Sequence, residues 1–369
     1  MLTLPSKFLR KCYRKLHGNN APRKWKRIDS CVAEGTGKWH MAHTSCTPDW
    51  PEPSRYGEKD VEFETLAASF PELGVLEIPN GYVYGEDAWI YTSARDLLPE
   101  FSWHGADVQY IRVPGRLRNI KKLDGVCLSI ASIWASFVYA HFSLDSLPRL
   151  KLFQDAGFSL DDVDHVYCTQ TLSKHATFLF ERLEIPESKI IWAHADTCLQ
   201  AKTLLVPSYP GVCRNYQKWV VDYLRELVPF PQQAQTRRLF VTRQGVNRNP
   251  VNLERIHEIM RSSGFEIYDP ENSDEQYRDF HEAEIVVGVH GSGLTNLVFC
   301  QPGTRVLELI PSDQMYPYFY TLSVAARLNY SYLLCQSTGH RKESRIGGSP
   351  FDLHIDEHAL EHAVRALVG

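Results

Sequence analysis

Residues 283–311, AEIVVGVHGSGLTNLVFCQPGTRVLELIP, leave few folds open to a chain that contains them. Ile285, Val286, Val287 and Val289 form a β-branched run too short for an ordinary helix, and they read as a buried parallel strand. The run breaks at Gly288-Val289-His290-Gly291-Ser292-Gly293, and residues 294–299 resume with a helical apolar pattern. Strand, glycine turn and helix in that order aim backbone N–H groups and the positive helix end at whatever lies above the strand. The natural guest is an anion, in first place a phosphate. A second apolar strand at 305–310 carries Glu308 between Leu307 and Leu309, either on a solvated face or beside a ligand hydroxyl at the strand's carboxyl end.

A chain of 369 residues accommodates two domains, and the pattern around the glycine turn says which kind. Short alternating strands separated by turn residues at 75–78, 82–84 and 88–91 predict a small antiparallel β-subdomain over about 70–125. A helix is expected at 130–144, and a second one opening at Pro148. Strands at 163–168, 189–193 and 201–206 then alternate with helices at 176–183 and 216–228. After the Pro- and Gln-rich stretch 229–235 a second series begins: strand 238–242, helix 253–262, strand 265–268, helix 274–283, the glycine turn, helix 318–328, strand 330–335 and a closing helix 356–368. This is α/β bookkeeping in two Rossmann-like halves, 1–235 and 236–369, with a ligand cleft expected between them.

Composition narrows the function classes. With 43% hydrophobic and 23% charged residues the chain is an ordinary globular protein, and a formal net charge of −4 speaks against wholesale nucleic-acid binding. Nine cysteines without a C-x-x-C pair indicate neither a zinc ribbon nor a disulfide scaffold, so a reducing, cytoplasmic compartment is expected. Residues 1–60 are basic, then irregular. The first 27 hold nine Lys and Arg and no acid, and read either as a solvated tail or as a peripheral contact with anionic lipid at the inner face of a membrane. No signal-peptide core follows, and the uncharged run 126–144, though almost long enough to span a bilayer, is interrupted by Ser129, Ser132, Ser136, His141 and Ser143.

Among side chains, Arg243 ends the first strand of the second half and Arg248 lies in the polar loop after it; a guanidinium fork suits phosphate oxygens. In the first half His141 and Asp145 stand at i and i+4 beside the break at Pro148, an acid/base pair open to substrate. Two metal-like signals are set aside. Asp162-Val163-Asp164 precedes its strand where a nucleotide-chelating pair would follow one, and His354, His358 and His362 read as a polar face of the last helix. Gly291-Ser292-Gly293 lacks the outer glycines of a hydrolase nucleophile elbow, and Gly288, Gly291 and Gly293 do not fit G-x-G-x-x-G.

These residues together resemble glycosyltransferase family 61. The family's C-terminal half carries a strand ending in arginine, an arginine-rich loop, a Gly-Phe-Glu strand, a Gln-bearing helix, a G-x-H-G-A-G-L-T-N-L-x-F turn and a V-x-E-L strand. Here these stand as Thr242-Arg243, Asn247-Arg248-Asn249, Gly264-Phe265-Glu266, Gln276, residues 288–299 and residues 306–309. The upstream Y-x-H-x-x-x-D/E-x-L-P-R motif looks like residues 139–149. Ser292 replaces the usual alanine, and the loop offers one arginine where the family often has two.

The resemblance implies a GT-B fold and an inverting transfer that requires no metal or other cofactor. The donor is a nucleotide sugar such as a UDP-sugar, held by Arg243, Arg248, His290, Gly291, Ser292, Gly293, Asn296 and Glu308. The implied acceptor is a glycan or lipid-linked glycan, as in the bacterial members tied to capsule or other surface polysaccharide. Asp145 is the expected base with His141 orienting it, or the two exchange roles. The competing class is a nucleotide- or glycan-binding protein that keeps the fold without turnover.

Overall fold

The computed structural model describes residues 24–57, 62–102, 116–171, 173–243, 248–339 and 349–369. The basic start at 1–23, Asn247 of the arginine loop and residues 103–115 of the expected β-subdomain lie outside them. Of the remaining basic start, Lys26 is buried and paired with Glu34 at 2.7 Å. No helix among the described residues is long and apolar enough to cross a membrane.

The chain divides into two compact units. One comprises residues 1–48 and 68–214, the other residues 49–67 and 215–369. The boundary differs from the one expected at 235. The 229–235 stretch is fastened within the second unit: Gln301 donates to the Gln233 carbonyl at 2.9 Å, and Gln235 donates to Ala283 and Thr304. Helix α3 (Lys218–Leu227, counting the helices introduced below) also belongs there, because Arg225 donates to the carbonyls of Val298 and Ala326.

The first unit is built on one sheet of β1 (Lys38–His43), β2 (Leu73–Pro79), β3 (Tyr82–Tyr84), β4 (Trp89–Tyr91), β5 (Ile120–Ser129), β6 (His165–Thr169), β7 (Ile190–Ala193) and β8 (Cys198–Pro207). Its order is β1-β2-β8-β5-β6-β7, with β3 also on β8. Strands β8, β5, β6 and β7 run parallel, and β1, β2 and the β3/β4 hairpin are antiparallel additions. The expected β-subdomain is therefore no separate body: β2 and β3 hydrogen-bond to β8. Helices α1 (Pro148–Asp155) and α2 (Lys174–Glu181) follow β5 and β6.

Of the helix expected at 130–144 only the end, from Tyr139, is helical, and it runs into a π-helical turn at His141–Ser146. The carbonyls such a helix would use are taken by side chains: Ser146 Oγ donates to Ile130 at 2.7 Å, and Arg149 donates to Ala131. Trp134 sits in the left-handed region at φ 61°, its N–H on Asp87.

The second unit holds β9 (Arg237–Val241), α4 (Leu253–Ser262), β10 (Glu266–Tyr268), α5 (Gln276–His281), β11 (Ala283–Val289), β12 (Arg305–Pro311), α6 (Tyr318–Ala326), β13 (Asn329–Thr338), β14 (Asp352–His354) and α7 (Glu357–Val368). The five strands β10-β9-β11-β12-β13 are all parallel, an order of 2-1-3-4-5. The strand Ser54–Tyr56 and β14 share the outer edge of β13.

The unbroken apolar run of β11 is explained by burial on both faces. Ile285, Val287 and Val289 pack with Ile256, Met260, Leu360 and Val364 of α4 and α7. On the opposite side Gly288 lies beneath Leu294 of the helix Ser292–Phe299, around which α3, α5 and α6 gather.

Candidate active site

In a 2-1-3-4-5 sheet the connections leave β9 in one direction and return past it to β11, so the crevice at the carboxyl ends of β9 and β11 is where such folds take ligands. Arg243 follows β9, and the His290 to Gly293 turn follows β11. The glycines there serve close approach. A Cβ on Gly291 would meet Arg243 Nη1 at 2.0 Å, and one on Gly288 would meet Leu294 Cδ2 at 2.7 Å. A Cβ on Gly293 would press on Val241 and Pro270. The turn therefore lays backbone directly against the Arg243 guanidinium. The helix Ser292–Phe299 is 3-10 along its whole length, an unusual run that tightens the turn beneath the crevice.

Arg248 reaches the same place. It is buried, with Nη1 donating to Gln314 Oε1 at 3.2 Å and Nε buried without a hydrogen-bond partner. Burial, and after it Arg243, lower its pKa to about 9, while Asp313, Glu308 and Tyr318 act the other way. Arg243 is lowered by burial to about 10, against the pull of Glu271. Two guanidinium groups near enough to feel each other in a desolvated pocket make a site that an anion relieves.

His290 joins them. Its Nδ1–H donates to Glu308 Oε1, and the other oxygen of that carboxylate receives the Tyr330 hydroxyl at 2.6 Å. Both Glu308 oxygens thus have protein donors, and the residue is wholly buried, which rules out the solvated strand face that was one of its two expected placements. Its geometry orients the His290 ring. Asn296 likewise lies under the turn, donating to Gln276 Oε1 at 3.0 Å and to the Gly293 carbonyl at 3.4 Å. Ser292 remains partly exposed beside them.

In the first unit, residues His141–Ser146 form a π-helical turn, closed by the Leu147 N–H to Phe142 carbonyl bond and ended by Pro148, whose nitrogen carries no hydrogen. His141 Nδ1 donates to Asp145 Oδ2 at 2.6 Å, both groups buried. Arg149 fixes this turn on the sheet. Its Nε and Nη2 donate to the Pro207 carbonyl at 3.1 and 2.7 Å, Nη1 donates to Ala131, and its charge rests 4.7 Å from the centre of the Tyr209 ring. The dyad is thereby anchored at the carboxyl ends of the neighbouring parallel strands β5 and β8.

The set-aside signals have structural explanations. Asp162 completes a capping box with Ser159, and Asp164 accepts the Val126 N–H at 2.8 Å. His354 lies on β14 and His358 and His362 on α7, so the three do not share one helix. No cluster of metal-ligating side chains occurs among the described residues. Tyr330, Gln314 and Arg149 are the site-building residues that sequence reasoning passed over. Arg149 closes a recognised motif, whereas nothing local distinguishes Tyr330 from a core tyrosine or Gln314 from a solvated one.

The second unit is thus a doubly wound α/β body with two arginines and a glycine turn at its strand ends, and the first an α/β body with a buried histidine–aspartate pair. Comparison with known proteins adds two likenesses. The Glycosyltransferase 61 model matches residues 139–307, from the dyad turn through the glycine turn. Beta-1,2-xylosyltransferase RCN11 of Oryza sativa subsp. japonica is 46% identical over 59 residues, which is 16% of this chain. That alignment spans 11% of the rice protein, so only a small part of the relative's length is matched.

Proposed function

We propose that the protein is an inverting glycosyltransferase of the GT-B type that moves a sugar from a nucleotide sugar to a hydroxyl of a glycan. The second unit binds the donor, and the observation that carries this reading is the meeting of Arg243, Arg248 and the Gly291 turn at the strand ends where a 2-1-3-4-5 sheet takes its ligands. The charge that grows on the departing diphosphate is met by the guanidinium groups and turn amides, each such donor being worth several kcal/mol in comparable anion-stabilising sites. With that compensation no metal is required.

His141 and Asp145 form the acid/base element that takes the acceptor proton: the ring is the atom-level base and Asp145 holds its tautomer through Nδ1, the arrangement their 2.6 Å bond favours. The rice relative's name makes UDP-xylose the first donor to try, and a surface polysaccharide remains the acceptor class the resemblance suggests.

Calorimetric titration with UDP, GDP and ADP tests the donor site. Binding of one of them, weakened ~10-fold or more in Arg243→Ala, is expected from loss of a charge-assisted fork. No binding of any nucleoside diphosphate would overturn the reading, and binding without turnover of any donor sugar would favour a non-catalytic protein. Transfer is expected to continue in EDTA; abolition by EDTA with recovery in manganese would contradict metal independence.

A further inference from the structure

The His290 ring is held in one orientation. Tyr330 of β13, Glu308 of β12 and His290 at the end of β11 form a buried line of hydrogen bonds. A carboxylate only accepts, so Nδ1 carries the hydrogen and Nε2 is the position where the ring gains or loses a proton. No other side-chain hydrogen bond reaches the ring among the described residues. It is wedged by Phe319 and Tyr318 of α6, with ring centroids 5.1 and 5.7 Å away.

The charged and titratable groups that face this ring are Glu308, backed by Tyr330, then Arg243, Arg248 and Tyr318, with Asp313 acting on Arg248. Burial first, and the two arginines with it, push His290 below the ordinary histidine range, while Glu308 pulls it up. In the unliganded site burial and the two arginines therefore favour the neutral ring. Arg243 and Arg248 are also the groups whose charge a diphosphate cancels. The same ligand that fills the site removes the arginine contribution to keeping the ring unprotonated and adds negative charge beside it.

We propose that binding of the donor diphosphate protonates His290 at Nε2, and that His290 then gives this proton to the departing phosphate oxygen. The inference rests on the donor-site reading above and assigns the leaving-group side of the reaction. As the bond from the anomeric carbon to the phosphate oxygen breaks, its electron pair stays on that oxygen, which takes the Nε2 proton. The imidazole returns to neutral with Nδ1–H still on Glu308. The acceptor hydroxyl forms the new bond to the anomeric carbon and loses its proton to the His141–Asp145 pair. One proton enters from solvent with the donor and leaves on the nucleoside diphosphate; the acceptor's proton returns to solvent from the dyad.

The test uses UDP-xylose, whose diphosphate diester has no proton of its own to exchange near neutrality. It is titrated into the full chain at pH 7.5 in MOPS and in Tris, buffers that absorb different heats on giving up a proton. The expected result is a binding enthalpy that differs between the buffers in the sense of proton uptake, with affinity falling as pH rises through the raised pKa of the bound state. His290→Gln and Glu308→Gln should each bind with the same enthalpy in both buffers. In His290→Gln, kcat should fall ~10²-fold or more, the usual size of a proton-transfer contribution.

Either variant suffices if the other does not fold. Equal enthalpies in the wild type would overturn the proton uptake and leave the donor site standing. Uptake undiminished in a folded variant, or full kcat in His290→Gln, would overturn the role of His290. No binding heat with UDP-xylose, UDP-glucose or GDP-mannose would overturn the donor site and this inference together.

Discussion

Arg248 combines three costs at one position. Its backbone is left-handed at φ 67°, its Nε is buried without a partner, and burial depresses its pKa to about 9. A folded-state value below the ordinary arginine value means that the unfolded chain holds this proton more firmly. The charge therefore works against folding at neutral pH, and would cease to do so only as pH rises beyond about 9. On the proposed reading, the diphosphate of the donor offsets these costs. We predict that Arg248→Met raises the melting temperature by roughly 2–4 °C, about 1 kcal/mol in a unit of this size, while weakening nucleoside diphosphate binding at least ~10-fold. Calorimetric scanning and titration of the same sample check both. A variant that melts lower and binds normally would show Arg248 to be a structural ion.

The two buried charges at 145 and 149 separate in the same way. Arg149 satisfies backbone carbonyls of Pro207 and Ala131, so Arg149→Met leaves buried acceptors without donors and should cost about 2–4 kcal/mol in stability. Asp145→Asn keeps shape and should leave melting nearly unchanged, with kcat lowered ~10²-fold or more. Denaturant unfolding beside transfer kinetics distinguishes the two; a fully active Asp145→Asn protein would exclude Asp145 from the chemistry, and a fully active His141→Ala protein beside it would exclude the dyad.

At the scale of elements, the glycine turn shows what a sequence displays and what it conceals. The buried strand, the break and the following helix were legible because β-branched runs, glycines and helical periodicity are local signals. The pairing of His141 with Asp145 was legible from spacing, although the turn carrying them is π and not α. Long-range partners were not legible. The side chains of Ser146 and Arg149 take carbonyls at the start of the helix expected at 130–144, which is helical only from Tyr139, and Glu308 is held by His290 and by Tyr330, 22 residues on, one on each oxygen.

The glycines yield a prediction of their own. In Gly291→Ala the new methyl must displace the Arg243 guanidinium, whereas in Gly288→Ala it strikes Leu294 in the core. The first should lose donor affinity with little change in melting; the second should lose about 1–3 kcal/mol of stability, as overpacked cores do. Equal effects of the two on binding would remove Gly291 from the Arg243 argument.

At the scale of the whole molecule, a discontinuous unit is what the sequence hides best. The irregular stretch expected within residues 1–60 gives no sign of it, yet residues 49–67 belong to the second unit. Ser54–Tyr56 pairs in parallel with β13, covering part of an edge that residues 215–369 alone would leave open. The Tyr320 hydroxyl donates to the Pro51 carbonyl, Phe63 stacks on Tyr320 with centroids 5.2 Å apart, and Asn215 donates to the Thr65 carbonyl at 2.9 Å. Through Tyr320, which packs on Tyr330 at 5.3 Å, the segment supports the line that ends at His290. Replacing 49–67 by a Gly/Ser segment of equal length keeps the tether and removes these contacts. We expect a lower melting transition, soluble aggregates on size-exclusion chromatography from the uncovered β13 edge, and loss of nucleoside diphosphate binding although none of the contacts removed is made to Arg243, Arg248 or the Gly291 turn. Unchanged melting and unchanged binding would mean that 49–67 merely lies on a donor unit complete without it.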